Sequence, residues 1–127
     1  MKRLALFIVA MFILTYFIPI KAADSPPIKR EWTKADSKAY ARDKLSAWET
    51  KQWACLNKLW TKESQWNSKA YNTVKVMGRN AGGIPQILGM SPKTKPTDQI
   101  DRGLDYITYR YGTPCKALYF HERNWWY

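Results

Sequence analysis

One carboxylate in this chain has neighbours able to change its chemistry. Glu63 lies near the end of residues 53–66, WACLNKLWTKESQW, where Trp53, Leu56, Leu59 and Trp60 recur at offsets of three, six and seven. That is the spacing of one apolar helix face. Glu63 continues the face three residues after Trp60, with Trp66 just beyond the expected helix end. A carboxyl group among aromatic rings is partly desolvated, which raises its pKa toward the range useful for a general acid. Lys62 opposes that shift. A solvated Glu at a frayed helix end is the competing expectation, so the surrounding chain must decide between them.

The other acids of the exported part, Asp24, Glu31, Asp36, Asp43, Glu49, Asp98, Asp101, Asp105 and Glu122, sit mostly in polar settings, and none stands out as a partner for Glu63. One histidine, His121, two cysteines and no CxxC make a zinc site improbable, and no metal or other cofactor is expected.

The elements that must position Glu63 follow an N-terminal targeting segment. Met1-Lys2-Arg3 precedes seventeen residues without a charge, 4–20, and then KAAD. This describes a secretory signal over residues 1–23, cleaved after Ala22 or Ala23, or retained as a membrane anchor through residues 4–20. Either form exports the remainder to the cell envelope, the periplasm or the medium. Residues 24–34, with Pro26 and Pro27 among several charges, read as a linker, and residues 35–127 as one small domain.

The chain carries a net charge of +11, and +8 remains without the three basic residues of the signal. A surface of that sign attracts polyanions, and for an exported protein these are anionic cell-envelope polymers. The lysines are scattered as on a solvated surface, no nucleic-acid-binding motif is present, and nucleic acid is not expected as a partner. Cys55 and Cys115 either pair, as an oxidising compartment favours, or meet as two buried thiols.

Residues 35–47 read as a short first helix capped by Asp36, and Thr50 as the cap of the helix that carries Glu63. Residues 67–89 lose helical periodicity and read as a long irregular segment, with a short hairpin possible within 69–84. Gly82-Gly83-Ile84-Pro85-Gln86 reads as a tight turn entering a helix, because Pro85 suits a first helical position. Beyond it, Ile100, Leu104, Ile107 and Tyr111 mark an amphipathic helix starting at Thr97 or Asp98 and closed by Gly112. Thr113-Pro114 then starts a final helix through Phe120. The terminal Trp125-Trp126-Tyr127 is expected to pack back on the core or to line a groove. Trp53, Trp60 and Tyr111 fit core positions; Trp48, Trp66, Trp125 and Trp126 are candidates for stacking on sugar rings where they are exposed. The fold class is mainly α, a single small helical domain with a long irregular loop or short hairpin.

Four blocks in order, CLNKLWTKESQWN, GIPQIL, QIDRGLDYITYRYG and TPCKAL with a terminal WWY, resemble the lysozyme-like transglycosylase SLT domains, in the small secreted and phage-encoded form related to aggregation-promoting factors. The resemblance spans about residues 35–127 and implies an α+β lysozyme-like fold. It implies that Glu63 is the catalytic acid, that Ser64 holds the turn beside it, and that Gln86, with the backbone of Gly83 and Ile84, lies in a sugar-binding cleft. Tyr106 and Tyr109 are candidates for the far wall of that cleft. The activity implied is lytic cleavage of peptidoglycan glycan strands at the MurNAc–GlcNAc bond, with a muramidase-type hydrolase or a non-catalytic secreted wall-binding protein as alternatives. The chain departs from the pattern in residues 72–82, NTVKVMGRNAG, in Ala117-Leu118 after the second cysteine, and in WWY where the pattern has GWY.

Overall fold

The computed structural model describes residues 30–127; the targeting segment and residues 24–29 lie outside the described residues. It is mainly helical, with α1 Lys34–Lys44, α2 Thr50–Ser64, α3 Pro96–Tyr111 and α4 Pro114–Asn124, and two short strands, β1 Ala81–Gly82 and β2 Ile87–Leu88, between α2 and α3. No helix of the described residues is long and apolar enough to cross a membrane.

Helix α1 starts three residues earlier than a cap at Asp36 would place it. Thr33 is the N-cap and Asp36 is the third helical residue of a capping box: Asp36 N–H donates to Thr33 Oγ1 at 3.2 Å while Thr33 N–H donates to Asp36 Oδ2 at 2.8 Å. Residues 30–33 fold onto this helix, through Arg30 to Asp36 at 2.7 Å and Trp32 Nε1 to Ser37 Oγ at 2.8 Å. Helix α2 begins at Thr50 itself, after Glu49 and without a side-chain cap. It ends on two successive left-handed residues, Gln65 (φ 53°) and Trp66 (φ 58°). Left-handed backbone costs a non-glycine residue about 1–2 kcal/mol. Here it swings the Trp66 indole into the core against Trp60, 5.2 Å between ring centroids, and such burial returns about 2–3 kcal/mol.

The segment between α2 and α3 is a small antiparallel meander. Ala81 pairs with Leu88 and Gly82 with Ile87, while Tyr71 bridges back to Gly82 and Val76 to Arg79. Residues 83–86 therefore do not enter a helix. They form the turn from β1 to β2, with Gly83 (φ 71°) and Gln86 (φ 51°) both left-handed, a geometry no helix start adopts. The ring of Pro85 fixes its φ near −65°, a value that serves within a turn as well as at a helix start.

Helix α3 starts at Pro96 and closes at Gly112 (φ 84°), whose N–H reaches the Ile107 carbonyl. Thr113 caps α4 and Pro114 opens it. The core joins Ala41 and Leu45 of α1, Leu56, Leu59 and Trp60 of α2, Ile100 and Ile107 of α3, and Ala117 and Leu118 of α4, with Trp66 and Ile84 from the loop. Trp53 is half-buried at its edge. Gly103 lets α3 approach this core, since a Cβ there would stand 2.7 Å from Trp60 Cζ2 and 2.9 Å from Pro85 Cβ. Cys55 of α2 and Cys115 of α4 form a disulfide, and Gln52 Oε1 accepts from the Cys115 N–H at 3.0 Å beside it.

Candidate active site at the end of α2

Glu63 occupies the last turn of α2, on the side facing α4. Its side chain is 15% exposed, and burial pushes its pKa from the ordinary 4.5 up to about 7. Facing it is His121 of α4, whose Nε2 stands 2.9 Å from Glu63 Oε1. Burial and the positive charge of Lys62 push the imidazole below its ordinary value, against the opposing influence of Glu122. Both groups are thus driven toward their neutral forms, and the pair holds a proton that can leave near neutral pH.

Burial is the cause of the raised Glu63 value, and two acids of the neighbouring helices are engaged elsewhere. Glu122, the neighbour of His121 in sequence, is engaged by Lys58 at 2.6 Å. Asp101 is taken by the Tyr40 hydroxyl at 2.9 Å and Lys44 at 3.3 Å, across α1 and α3. Among the described residues no three His, Cys, Asp or Glu side chains converge as a metal-binding group.

The wall beside Glu63 is the β1–β2 turn, and its polar groups are almost fully committed. Ser64 Oγ donates to the Ile84 carbonyl at 2.7 Å, tying the end of α2 to the turn. Ile84 N–H donates to Gln99 Oε1 at 2.8 Å, so neither backbone group of Ile84 is free. Gly83 N–H goes to the Ala70 carbonyl, and its own carbonyl accepts from Gln86 Nε2 at 2.9 Å. A side chain at Gly83 would put its Cβ 2.5 Å from Gln99 Oε1. The half-buried Gln86 keeps its carbonyl Oε1 as the group it can offer a ligand.

The chain matches no protein-family model, no curated protein and no solved structure. The site is therefore defined by its own residues.

Tyr127 closes the cluster from the C-terminal side. Its hydroxyl accepts from Trp60 Nε1 at 3.0 Å and donates to the Pro85 carbonyl at 2.7 Å. Burial and the nearby Glu63 hold it well above the ordinary tyrosine value, so it remains a phenol. Tyr106 joins through an edge-on contact with the Tyr127 ring, 5.7 Å between centroids. Glu63, Ser64, Gly83, Ile84, Gln86 and Tyr106 therefore share one region. Tyr109 stands apart in solvent, 94% exposed. A groove of about 380 Å³ lies between α1 and α3, lined in part by Lys44, Trp48, Asp101 and Thr108. It includes no residue of the Glu63 cluster, and its acid Asp101 is already paired, so the unusual carboxyl lies at the α2 end and not in this groove.

Tyr127 packs back on the core as the terminal WWY is expected to, whereas two residues of the cluster, His121 and Gln99, escape a reading of the sequence. The disulfide carries the signal for the first. Cys55 touches Cys115 and Glu63 touches His121, so α2 and α4 leave the bridge in the same general direction. At 1.5 Å of rise per residue, Glu63 and His121 lie about 12 and about 9 Å beyond it, close enough in height to meet.

Proposed function

We propose that this protein is a lytic transglycosylase that cleaves peptidoglycan glycan strands between N-acetylmuramic acid and N-acetylglucosamine, with Glu63 as its one catalytic acid and base. The observation that carries this reading is a largely buried carboxyl group at the end of a core helix, in contact with His121, while the acids Glu122 and Asp101 of the described residues are paired elsewhere. Hydrolysis by the usual two-acid routes needs a partner at a defined separation. Ring closure by the substrate's own hydroxyl does not.

In the proposed reaction the Glu63 proton passes to the glycosidic oxygen as the bond from that oxygen to the muramoyl C1 breaks. The muramoyl C6 hydroxyl then attacks C1, its proton returns to the Glu63 carboxylate, and a 1,6-anhydro ring forms without consuming water. Gln86 Oε1 is suited to accept a hydrogen bond from a substrate amide or hydroxyl, and Tyr106 to wall the cleft. Ser64 and Gln99 act by holding the turn. The α+β lysozyme-like arrangement belongs to this proposal: a core helix ending in the acid, beside a short antiparallel meander. So does export, with which the Cys55–Cys115 disulfide and the basic surface agree.

Digestion of purified sacculi followed by mass spectrometry tests the reaction type. Muropeptides with 1,6-anhydro ends are expected. Reducing ends would assign a hydrolase, and binding without released fragments a wall-binding protein.

A further inference from the structure

The reaction above uses Glu63 alone, yet the carboxyl is in contact with an imidazole that has no other hydrogen-bond partner among the described residues. His121 Nε2 lies 2.9 Å from Glu63 Oε1, with the two side chains 10% and 15% exposed, and His121 Nδ1 is buried without a hydrogen bond. Resting on the reading of Glu63 as the acid, we propose that His121 is its positioning residue: neutral and protonated on Nε2, it donates to Glu63 Oε1, which leaves the transferable proton on Oε2 and keeps a donor waiting for the carboxylate.

The unpartnered Nδ1 decides the protonation state. An imidazolium, or the neutral form protonated on Nδ1, would bury an N–H with nothing to accept it. The form protonated on Nε2 leaves a bare lone pair there, and an unfilled acceptor is tolerated more often than an orphaned donor. The groups facing the ring agree. From α2 come Glu63 and Lys62, from α4 Glu122, and from the C-terminal segment Tyr127, whose ring centroid is 6.5 Å away. Lys62 opposes a charge on the imidazole, while Glu122, which would favour one, is held by Lys58.

The orientation then follows. A proton on Oε1 would be directed at the imidazole and withheld from substrate, whereas a proton on Oε2 is free to transfer. When Oε2 loses it, the Nε2–H already bonded to Oε1 becomes a charge-assisted hydrogen bond, about twice as strong as its neutral counterpart. The stabilisation appears as the carboxylate forms and persists until the C6 hydroxyl returns a proton to Oε2. His121 gains and loses nothing over the cycle.

The test uses the full chain labelled with ¹³C-Glu and ¹⁵N-His. Long-range ¹⁵N correlations of the wild type at pH 6–8 are expected to show a neutral ring protonated on Nε2; an imidazolium at pH 7, or the Nδ1 form, overturns the proposal without any variant. The Glu63 Cδ titration is then followed in His121→Leu and His121→Gln. Leu removes the donor, and the midpoint is expected to rise by about one pH unit or more. Gln restores an amide donor, and the midpoint is expected to return toward wild type. On sacculi at pH 6, where Glu63 is protonated throughout, Leu should cost about tenfold or more through lost orientation, and Gln should recover most of it. A midpoint unmoved in His121→Leu overturns the proposal, as does equal loss in both variants. A wild type that titrates as expected but releases nothing from sacculi overturns the transglycosylase reading and leaves the His121–Glu63 pairing standing as measured.

Discussion

Trp60 Nε1 donates to the hydroxyl of Tyr127 at 3.0 Å, which joins the buried centre of α2 to the final residue of the described chain. The same hydroxyl reaches the Pro85 carbonyl, so one phenol oxygen ties together α2, the β1–β2 turn and the C-terminal segment. Tyr127→Phe removes both bonds while keeping the ring. A buried group left unpaired costs about 1–3 kcal/mol, and a loss of about 3 kcal/mol is expected here. Urea unfolding of the two chains measures it; a change below about 0.5 kcal/mol would mean that water takes over both bonds.

Gln99 secures the turn from the other side. Fully buried, it accepts from Ile84 N–H and donates to the carbonyls of Ser68 and Thr94 at 2.9 and 2.8 Å. Gln99→Leu should cost about 2–4 kcal/mol, and its distinctive effect should be local: faster hydrogen exchange at the Ile84 amide by about tenfold or more relative to α2 amides. Uniform acceleration across the fold would indicate general destabilisation instead.

The raised pKa of Glu63 also has a thermodynamic signature. The folded state binds its proton up to about pH 7, the unfolded chain only to the ordinary 4.5. Below pH 4.5 both states are protonated and nothing is lost; between 4.5 and 7 the unfolded state ionises first and stability falls; above 7 the full cost is reached, at most about 3 kcal/mol and less to the extent that water reaches the carboxyl. Glu63→Gln should therefore match wild type at pH 4 and exceed it by about 1–3 kcal/mol at pH 8. Equal stability at both pH values would contradict a buried, high-pKa carboxyl. His121 is present in both chains. Its lowered value acts in the opposite sense, with stability lost as the pH falls below the ordinary histidine range.

The disulfide closes a separation of 60 residues, for which loop entropy gives about 4 kcal/mol. Replacing both cysteines by serine should lower stability by about that amount. It should also slow glycan cleavage, because the bridge sets the height at which α4 presents His121 to Glu63. The unreduced, denatured wild type should contain no free thiol by colorimetric assay; two thiols per chain would refute the pairing.

Much of this arrangement is legible in the sequence because it depends on local rules. The apolar faces of α2 and α3 show in the spacing of Leu56, Leu59 and Trp60, and of Ile100 and Ile107. Gly112 and Thr113-Pro114 mark the boundary between α3 and α4. What is not legible depends on choices that local preference leaves open. Pro85 satisfies the preferences of a helix start and of a turn equally, and only the pairing of β1 with β2 chooses the turn. Trp66 reaches the core through two left-handed residues, Gln65 and Trp66 itself, neither of them a glycine that would advertise the geometry. Asp36 and Thr33 exchange hydrogen bonds, so composition alone does not tell which of them is the cap. His121 reads as an isolated histidine until the disulfide places it across from Glu63.

Release of soluble muropeptides from purified sacculi by wild type and Glu63→Gln, followed from pH 5 to pH 9, tests the role of Glu63 most directly. If Glu63 is the acid, wild-type kcat/KM holds below about pH 7 and falls above it as the carboxyl ionises, the products carry 1,6-anhydro ends, and the glutamine chain is folded but slower by at least about a thousandfold. Cleavage by Glu63→Gln within about tenfold of wild type would contradict it, because the amide keeps the shape of the side chain and has no acidic proton to give.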